Sequence, residues 1–263
     1  MHRLWTLLFG AAAVFAVGIF FWAAGKSGYW FPENVSVIGV DIDHLYWVIT
    51  WITGITFVVV MVLFLWFLWK YGDERRPGKA VFTHGNHTLE TVWTAVPAAI
   101  LVFIAVYQYG AWKEAKFRSH MPDSPLHARV LAGQFEWRIR YPGPDRELYT
   151  DDDVEQVNLL HAWKDQDIVL QLESRDVLHS FFVPAARMKQ DMVPGMKQNM
   201  WFQITRAGEY EIACAELCGW GHYKMKGHLI VHETKADFDR WYQEALGRQN
   251  ADQRDPSIWE RGE

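Results

Sequence analysis

Three long stretches of this chain contain no acidic or basic side chain, and they constrain its fold more than any other feature. They cover residues 4–25, 45–69 and 91–112. Each stretch is long enough to cross the ~30 Å hydrocarbon core of a bilayer as one helix. The short loop from Lys70 to Lys79 is basic, which is typical of a cytoplasmic loop. Everything after the third stretch is therefore predicted to lie outside the cytoplasm.

The first of these stretches has two interpretations. A basic residue followed by an apolar run also describes a secretory signal peptide. Residues 21–25, Phe-Trp-Ala-Ala-Gly, form a poor cleavage site, so we expect the stretch to be retained as an extra transmembrane helix. The predicted domains are this N-terminal hydrophobic segment, a two-helix membrane hairpin with its linker, an outer domain, and a C-terminal helix with a polar tail. Their bounds are 1–34, 35–125, 126–234 and 235–263.

From Leu126 the pattern changes to short β-branched or alternating runs separated by Gly, Pro, Asn and Asp. The predicted strands are 128–132, 135–141, 168–173, 180–183, 200–205, 209–213 and 228–232. Several short strands without intervening helices favour a β-sandwich or β-barrel. Residues 236–246 then predict a helix with aromatic residues near one face. The predicted fold class is an α+β membrane protein, with N-terminal transmembrane helices followed by this β-domain.

Charge is distributed unevenly along the chain. The net charge is −5, and because acidic and basic residues balance over 1–109, all of it belongs to 110–263. This balance excludes a nucleic-acid partner and favours a basic protein partner. Such a partner is predicted to dock near the metal site through an acidic surface. Its residues are Asp145, Glu147, Asp151, Asp152, Asp153 and Asp176.

A compact set of soft metal ligands occurs in Cys214-Ala-Glu-Leu-Cys218-Gly-Trp-Gly-His222-Tyr-Lys-Met225. Thiolate and thioether sulfur beside imidazole select copper over magnesium or calcium. Two thiolates four residues apart can both bridge a pair of metal ions, and His179 upstream can supply a second imidazole. The pattern predicts two copper ions, each with one histidine and two shared thiolates.

Each copper ion would take one further, weak axial ligand, the Met225 thioether for one and the Glu216 backbone carbonyl for the other. Such a centre leaves no position open to a substrate, so it is suited to electron transfer. Three alternatives are a disulfide, a single blue-copper ion and a structural zinc ion. The disulfide is the common fate of paired cysteines outside the cytoplasm, whereas blue copper uses one cysteine and zinc usually takes more Cys or His ligands.

With these residues in place, the sequence resembles cytochrome c oxidase subunit II, whose copper A motif Cys-x-Glu-x-Cys-x₃-His-x₂-Met is complete here. The resemblance implies a cupredoxin-like Greek-key β-barrel. It implies a binuclear copper A centre held by His179, Cys214, Glu216, Cys218, His222 and Met225. It also implies that the Glu216 side chain reaches a Mg²⁺ ion shared with subunit I. The implied activity is electron transfer from a c-type cytochrome to the haem of subunit I, where oxygen is reduced to water with proton translocation.

The same resemblance implies partners and a location. The partners are oxidase subunits I and III, membrane lipid and a c-type cytochrome. The location is a bacterial-type inner (plasma) membrane, with the copper domain on the periplasmic face. The alternative is the copper A-bearing subunit of a nitric oxide reductase. A quinol oxidase subunit would lack the copper ligands, a nitrous oxide reductase would lack the membrane hairpin, and a copper chaperone would use exposed ligands.

Glu90 lies near the start of the third apolar stretch, in Leu-Glu-Thr-Val-Trp-Thr-Ala-Val-Pro at 89–97. Thr88 could cap a helix here, and a carboxylate in the first turn is favoured by the helix dipole. This structural role alone would explain the residue. In the resembled family the matching glutamate lies at the mouth of a proton channel into subunit I, which gives Glu90 a second candidate role.

One position departs from the resembled family, which usually has Gln-Trp-Tyr-Trp with the first tryptophan receiving electrons from the donor. Residues 134–137 here read Gln-Phe-Glu-Trp. The candidates for the electron-accepting residue are therefore Phe135 and Trp137, unless both rings only pack a strand. A membrane-tethered or complex-bound donor would tolerate the smaller ring, because its effective concentration is already high.

Overall fold

The computed structural model describes residues 2–24, 31–72 and 82–254. Most of the basic loop that indicates the topology lies outside the described residues, as does the end of the polar tail. Contacts between Cα atoms divide the chain into two compact units, which are described separately. The first unit is Met1–Trp30 with Asp43–Gly110, and the second is Phe31–Ile42 with the chain from Ala111 onward.

The long helices of the chain are apolar along most of their length. α1 spans His2–Ala24, α2 spans Val37–Tyr71, α3 spans His87–Tyr107, and a short α4 spans Tyr109–Lys116. The first three are long and apolar enough to cross a membrane, which confirms the three predicted stretches. Because α2 has 35 residues, it is about 50 Å long, well beyond the ~30 Å that a crossing needs. Its first turns belong to the second unit.

α3 begins with a side-chain cap at Asn86 and a reciprocal hydrogen bond to Glu90, one residue beyond the capping-box position. The Asn86 side chain accepts hydrogen bonds from the backbone N–H groups of Thr88 and Leu89, both at 3.1 Å. The Asn86 N–H in turn donates to Glu90 Oε1 at 3.3 Å, which completes the reciprocal pattern. The prediction that Thr88 caps the helix was wrong, because asparagine two residues earlier takes that position. Glu90 therefore has a structural role at the helix start.

The second unit is a cupredoxin-like β-sandwich, which confirms the predicted fold class. Its strands are β1 Ala128–Gly133, β2 Glu136–Tyr141, β3 Val154–Val157, β4 Leu159–Trp163, β5 Asp167–Ser174, β6 His179–Val183, β7 Met188–Met192, β8 Gln198–Gln203, β9 Gly208–Cys214 and β10 Lys226–His232. One sheet has the order β3-β2-β1-β5-β8 and the other β4-β10-β9-β6-β7. The helix α5, Lys235–Arg254, follows β10. Strands β3, β4 and β7 escaped prediction because they are short and interrupted by polar residues.

Alternate residues of the central strands build the core between the two sheets. On β2, Trp137, Ile139 and Tyr141 are buried, while the residues between them are exposed or half-buried. This period of two is the expected pattern for a strand with one face on the core. The alternation fixes which β2 side chains can reach the solvent.

The packed unit is larger than the predicted outer domain of 126–234. Val35, which precedes α2, is 2% exposed, and its N–H donates to Ala185 O at 3.0 Å. Its carbonyl accepts from Thr205 N at 2.8 Å. At the other end of the chain, Phe238 and Tyr242 of α5 are buried in the same core. The outer domain therefore needs both flanking segments, and 126–234 alone would expose the surface that they cover.

A buried histidine lies under α5 with both ring nitrogens in hydrogen bonds. His127 Nε2 donates to His161 O at 2.7 Å, and the Gln166 side-chain amide donates to His127 Nδ1 at 2.8 Å. The neutral ring satisfies both contacts, whereas a protonated ring could not accept from Gln166. Burial lowers the pKa of His127 to about 4.

We expect the outer unit to lose stability in acid because of this residue. Below pH 6.5 the unfolded chain protonates His127 while the folded chain does not, so the free energy of unfolding falls as pH drops from 6.5 toward 4. The loss from His127 is about 3 kcal/mol by pH 4. His127→Gln keeps a donor and an acceptor and should flatten this dependence in urea unfolding followed by tryptophan fluorescence. His228→Gln, on the exposed face of β10, is the control and should leave the dependence unchanged. Equal pH dependence in His127→Gln and the parent chain would contradict the assignment.

Candidate metal centre

The predicted copper ligands lie at the start of one strand, at the end of a second strand and in the loop that follows the second strand. His179 begins β6 and Cys214 ends β9, and these two strands pair with Phe181 opposite Cys214. The loop then folds back, since Cys214 N donates to Met225 O at 3.1 Å. Gln134, in the turn between β1 and β2, donates from its side chain to the Cys218 carbonyl. Backbone pairing therefore determines where each sulfur and imidazole lies.

The two cysteines are free thiols whose Sγ atoms are 3.8 Å apart, well beyond a disulfide bond length of ~2.05 Å. Each sulfur has its own imidazole. Cys214 Sγ lies 3.9 Å from His179 Nδ1, and Cys218 Sγ lies 3.7 Å from His222 Nδ1. Atoms this far apart can share one metal ion at bond lengths of about 2.0–2.3 Å.

The two candidate axial ligands are divided between the cysteines in the same way, one beside each sulfur. Cys218 Sγ is 3.8 Å from Met225 Sδ, and Cys214 Sγ is 3.2 Å from the Glu216 carbonyl oxygen. Each half of the site thus offers one thiolate, one imidazole and one weak ligand, and the two thiolates adjoin. This donor set fits a pair of copper ions with bridging sulfurs and does not fit a single blue-copper ion, which uses one thiolate.

Three of the predicted metal ligands are shielded from solvent. His179 is completely buried, and Cys218 and Met225 are 3% and 1% exposed. Burial would raise the pKa of Cys214, but hydrogen bonds from His179 and from the backbone at Ser180 and Glu216 outweigh it and lower that pKa to about 6. Burial and the charge on Cys214 raise the pKa of Cys218 to about 12. A metal must therefore displace a proton from Cys218, so metal loading releases protons.

Asp176 orients one of the ligands, a role that the sequence did not indicate. His179 Nε2 donates to Asp176 Oδ1 at 2.7 Å, and Gln134 N donates to Oδ2 at 2.7 Å. This contact places the ring proton on Nε2 and leaves Nδ1 free to face the cysteines. Asp176 was predicted to dock a partner, but its carboxylate is committed to His179. An aspartate three residues before a ligand histidine is the signal that could have revealed it.

Two family models match the chain. They are described as cytochrome C oxidase subunit II, transmembrane domain, at residues 24–110, and cytochrome C oxidase subunit II, periplasmic domain, at residues 144–233. A probable cytochrome c oxidase subunit 2 from Rickettsia bellii is 32% identical over 187 residues, covering 65% of this chain and 67% of that protein. The chain belongs to the cytochrome c oxidase subunit II family.

Two further comparisons show lower identity. Cytochrome c oxidase subunit 2 of Thermostichus vulcanus is 28% identical over 291 residues, covering 90% of this chain and 84% of that protein. The solved periplasmic domain of cytochrome oxidase subunit II from Bradyrhizobium japonicum is 24% identical with a TM-score of 0.43, covering 49% of this chain and 98% of that one. The chain is thus a subunit of a haem–copper oxidoreductase, a membrane protein with an outward domain. Membership of the family implies a copper A site.

Of the two candidates for the electron-accepting residue of this subunit II, only one reaches the surface. Trp137 is completely buried, with its ring 6.3 Å from the His179 ring and 5.3 Å from the Phe181 ring. It therefore cannot contact a donor protein directly. Phe135 is half-buried and lies in the turn before β2, outside the strand in which it was predicted.

Of the acidic surface predicted for subunit II to dock its donor, only Asp176 lies at the metal site. β2 starts beside the copper loop and carries the chain about 17 Å away from it before the acidic residues of 145–153 follow. α5, which follows the far end of β10, contacts the same loop, since Tyr242 OH donates to Asp152 O at 2.6 Å. Asp153 is also buried. The prediction of an acidic copper rim was therefore wrong for residues 145–153, because their loop leaves the opposite end of the strand.

Proposed function

We propose that this subunit receives electrons from a c-type cytochrome and passes them to the haem of subunit I, where oxygen is reduced to water with proton translocation. The observation that carries the proposal is the pair of free thiols 3.8 Å apart, Cys214 half-buried and Cys218 buried, each with its own imidazole. A copper pair bound there would supply reversible one-electron transfer. The residues of the chain hold this pair, exclude water and leave no position for a substrate.

The proposal assigns a role to each residue of the centre. Cys214 and Cys218 would hold the copper pair together with His179 and His222, and the remaining two residues would complete the ligand set. Those are the Met225 thioether and the Glu216 carbonyl. Because the ligands come from paired backbone, the site is set before the metal binds, which favours small changes in geometry between redox states.

The Glu216 side chain supports a second metal role. It is 39% exposed, and its Oε1 lies 3.5 Å from Lys189 Nζ. Its carbonyl oxygen faces the thiols while its carboxylate remains at the surface. Carboxylate oxygen is a preferred ligand of Mg²⁺, so we assign this group to a Mg²⁺ ion at the interface with subunit I. Subunit III completes the proposed complex, in a bacterial-type inner membrane with the metal centre on the periplasmic side.

Electron paramagnetic resonance of the purified full chain loaded with copper tests the function. A shared electron gives hyperfine splitting from two equivalent copper nuclei, and metal analysis should give two copper ions per chain. Prior oxidation of the Cys214–Cys218 pair to a disulfide should block loading until it is reduced, because only free thiolates bind metal. One copper ion per chain with both thiols intact would contradict the proposal.

Met225→Leu should keep copper but change the reduction potential. An axial thioether tunes the potential more than it holds the metal, and Met225 lies beside only one of the two sulfurs. The expected result is a retained binuclear spectrum, a shifted midpoint potential and slower transfer to the haem of subunit I. Redox titration of the oxidase measures the shift. Complete copper loss in Met225→Leu would show that the thioether is needed to hold the metal.

Glu90→Gln should slow oxygen consumption several-fold without changing the rate of copper reduction. Glutamine can still accept from Asn86 N–H, so the reciprocal hydrogen bond at the helix start remains, and only the ionisable group is lost. Steady-state oxygen uptake and stopped-flow reduction of copper measure the two rates in one preparation. His87→Gln is the control, since it removes the 3.4 Å contact between His87 and Glu90 and leaves the carboxylate in place. Unchanged oxygen uptake in Glu90→Gln would limit Glu90 to its role at the helix start.

A further inference from the structure

The copper loop exposes an unusual amount of apolar surface. Leu217, Trp220 and Tyr223 are 79%, 80% and 68% exposed, and they are the three most exposed large hydrophobic side chains among the described residues of the second unit. All three lie between ligands of the metal centre. Large exposed hydrophobic side chains mark sites of interaction more often than sites of folding.

Trp220 lies directly over Phe135. Their ring centroids are 5.3 Å apart with an interplanar angle of 69°. Phe135 in turn packs on the loop backbone so tightly that a Cβ at Gly221 would lie 2.6 Å from Phe135 Cδ2. The half-buried phenyl ring is therefore covered by an indole ring that projects into solvent.

Trp220 is also close to the metal ligands along the chain. It lies two residues after Cys218 and two residues before His222. Cys218 is fixed further by the hydrogen bond from the Gln134 side chain to its carbonyl. A short path of covalent bonds thus connects the exposed indole to one cysteine ligand and one histidine ligand of the metal centre.

Two acidic side chains near the metal ligands, Asp176 and Glu216, both have partners. Asp176 accepts from His179, and Glu216 lies within 3.5 Å of Lys189. Lys224 lies over the Tyr223 ring, with Nζ 5.5 Å from its centroid. A lysine-rich partner finds no free carboxylate here, so this surface is complementary to an uncharged, apolar one.

We propose that Trp220 is the residue at which the donor docks and electrons enter this subunit, in place of the tryptophan that is absent at position 135. The proposal rests on the proposed function. The donor is a c-type haem protein that presents its haem edge through an apolar surface. In each step one electron leaves the haem iron, Fe(II) becoming Fe(III), and the copper pair gains it; no proton moves and no bond forms or breaks.

The test uses the assembled oxidase and a c-type cytochrome from the same membranes, chosen because it reduces the wild-type enzyme. Trp220→Ala should weaken binding of the zinc-substituted, redox-silent cytochrome by at least about tenfold, as expected for an interface tryptophan. It should slow stopped-flow copper reduction to a similar extent and leave the copper spectrum unchanged. Tyr149→Ala, which removes a 63% exposed ring from the acidic loop at the other end of β2, is the matched control and should change neither quantity.

Two further measurements test the proposal. A double variant, Phe135→Trp with Trp220→Phe, places the indole at position 135 instead. It should restore most of the rate of copper reduction that Trp220→Ala loses. Hydroxyl-radical footprinting should oxidise Trp220 in the free oxidase and protect it when the cytochrome is added. Unchanged binding in Trp220→Ala, or Trp220 already covered by subunit I in the free oxidase, would overturn the proposal. Failure of every c-type cytochrome to reduce the wild-type enzyme would instead overturn the proposed function.

Discussion

A Cys218→Ser chain is expected to lose the binuclear copper centre while it keeps its fold. Cys218 Sγ lies 3.7–3.8 Å from Cys214 Sγ, His222 Nδ1 and Met225 Sδ, so it adjoins three other predicted ligands. A serine hydroxyl is a hard ligand that does not replace a bridging thiolate. The remaining ligands can hold one copper ion at most, so the spectrum of a shared electron should disappear. Electron transfer to subunit I should fall by more than the ~10–100-fold that follows loss of an outer hydrogen-bond partner.

Copper analysis and paramagnetic resonance measure this loss, and circular dichroism checks the fold. Ala215→Ser is the matched control, because it adds a hydroxyl to an exposed position of the same loop and leaves every ligand in place. A two-copper spectrum that persists in Cys218→Ser would mean that the thiolates do not bridge.

Asp176→Ala is expected to weaken copper binding by about 10–100-fold without touching a ligand. The variant removes the acceptor for His179 Nε2–H, which is 2.7 Å away, so the imidazole can rotate or change its tautomer. Asp176→Asn retains an acceptor oxygen and should lie between the parent chain and the alanine variant. Competition with a copper chelator gives the affinities, and nitrogen NMR of the reduced protein gives the tautomer of His179.

The control for these variants is Asp151→Ala, which removes an exposed carboxylate at the other end of the domain. It should bind copper like the parent chain, so a general effect of charge is separated from the local one. If Asp176→Ala and Asp151→Ala bind copper equally well, Asp176 does not position His179.

The sequence predicted those features that depend on residues near one another in the chain. The ligands from Cys214 to Met225 lie in one loop, and the membrane helices follow from local composition alone. The docking surface could not be predicted in this way, because it depends on the end of β2 from which the acidic loop leaves. The role of Asp176 depends on a contact with His179 only three residues away. Trp220 contacts Phe135, which only the packed sheets bring into place.

The segment before α2 has a consequence for biosynthesis. Val35 packs with residues that are translated only after the hairpin of α2 and α3, and Ser36 pairs with Ile204. The domain can close only if both ends of the hairpin emerge on the same side of the bilayer. A hairpin inserted with one helix left uninserted would separate the two segments and leave the sandwich incomplete. Folding of the outer domain therefore depends on insertion of the whole hairpin.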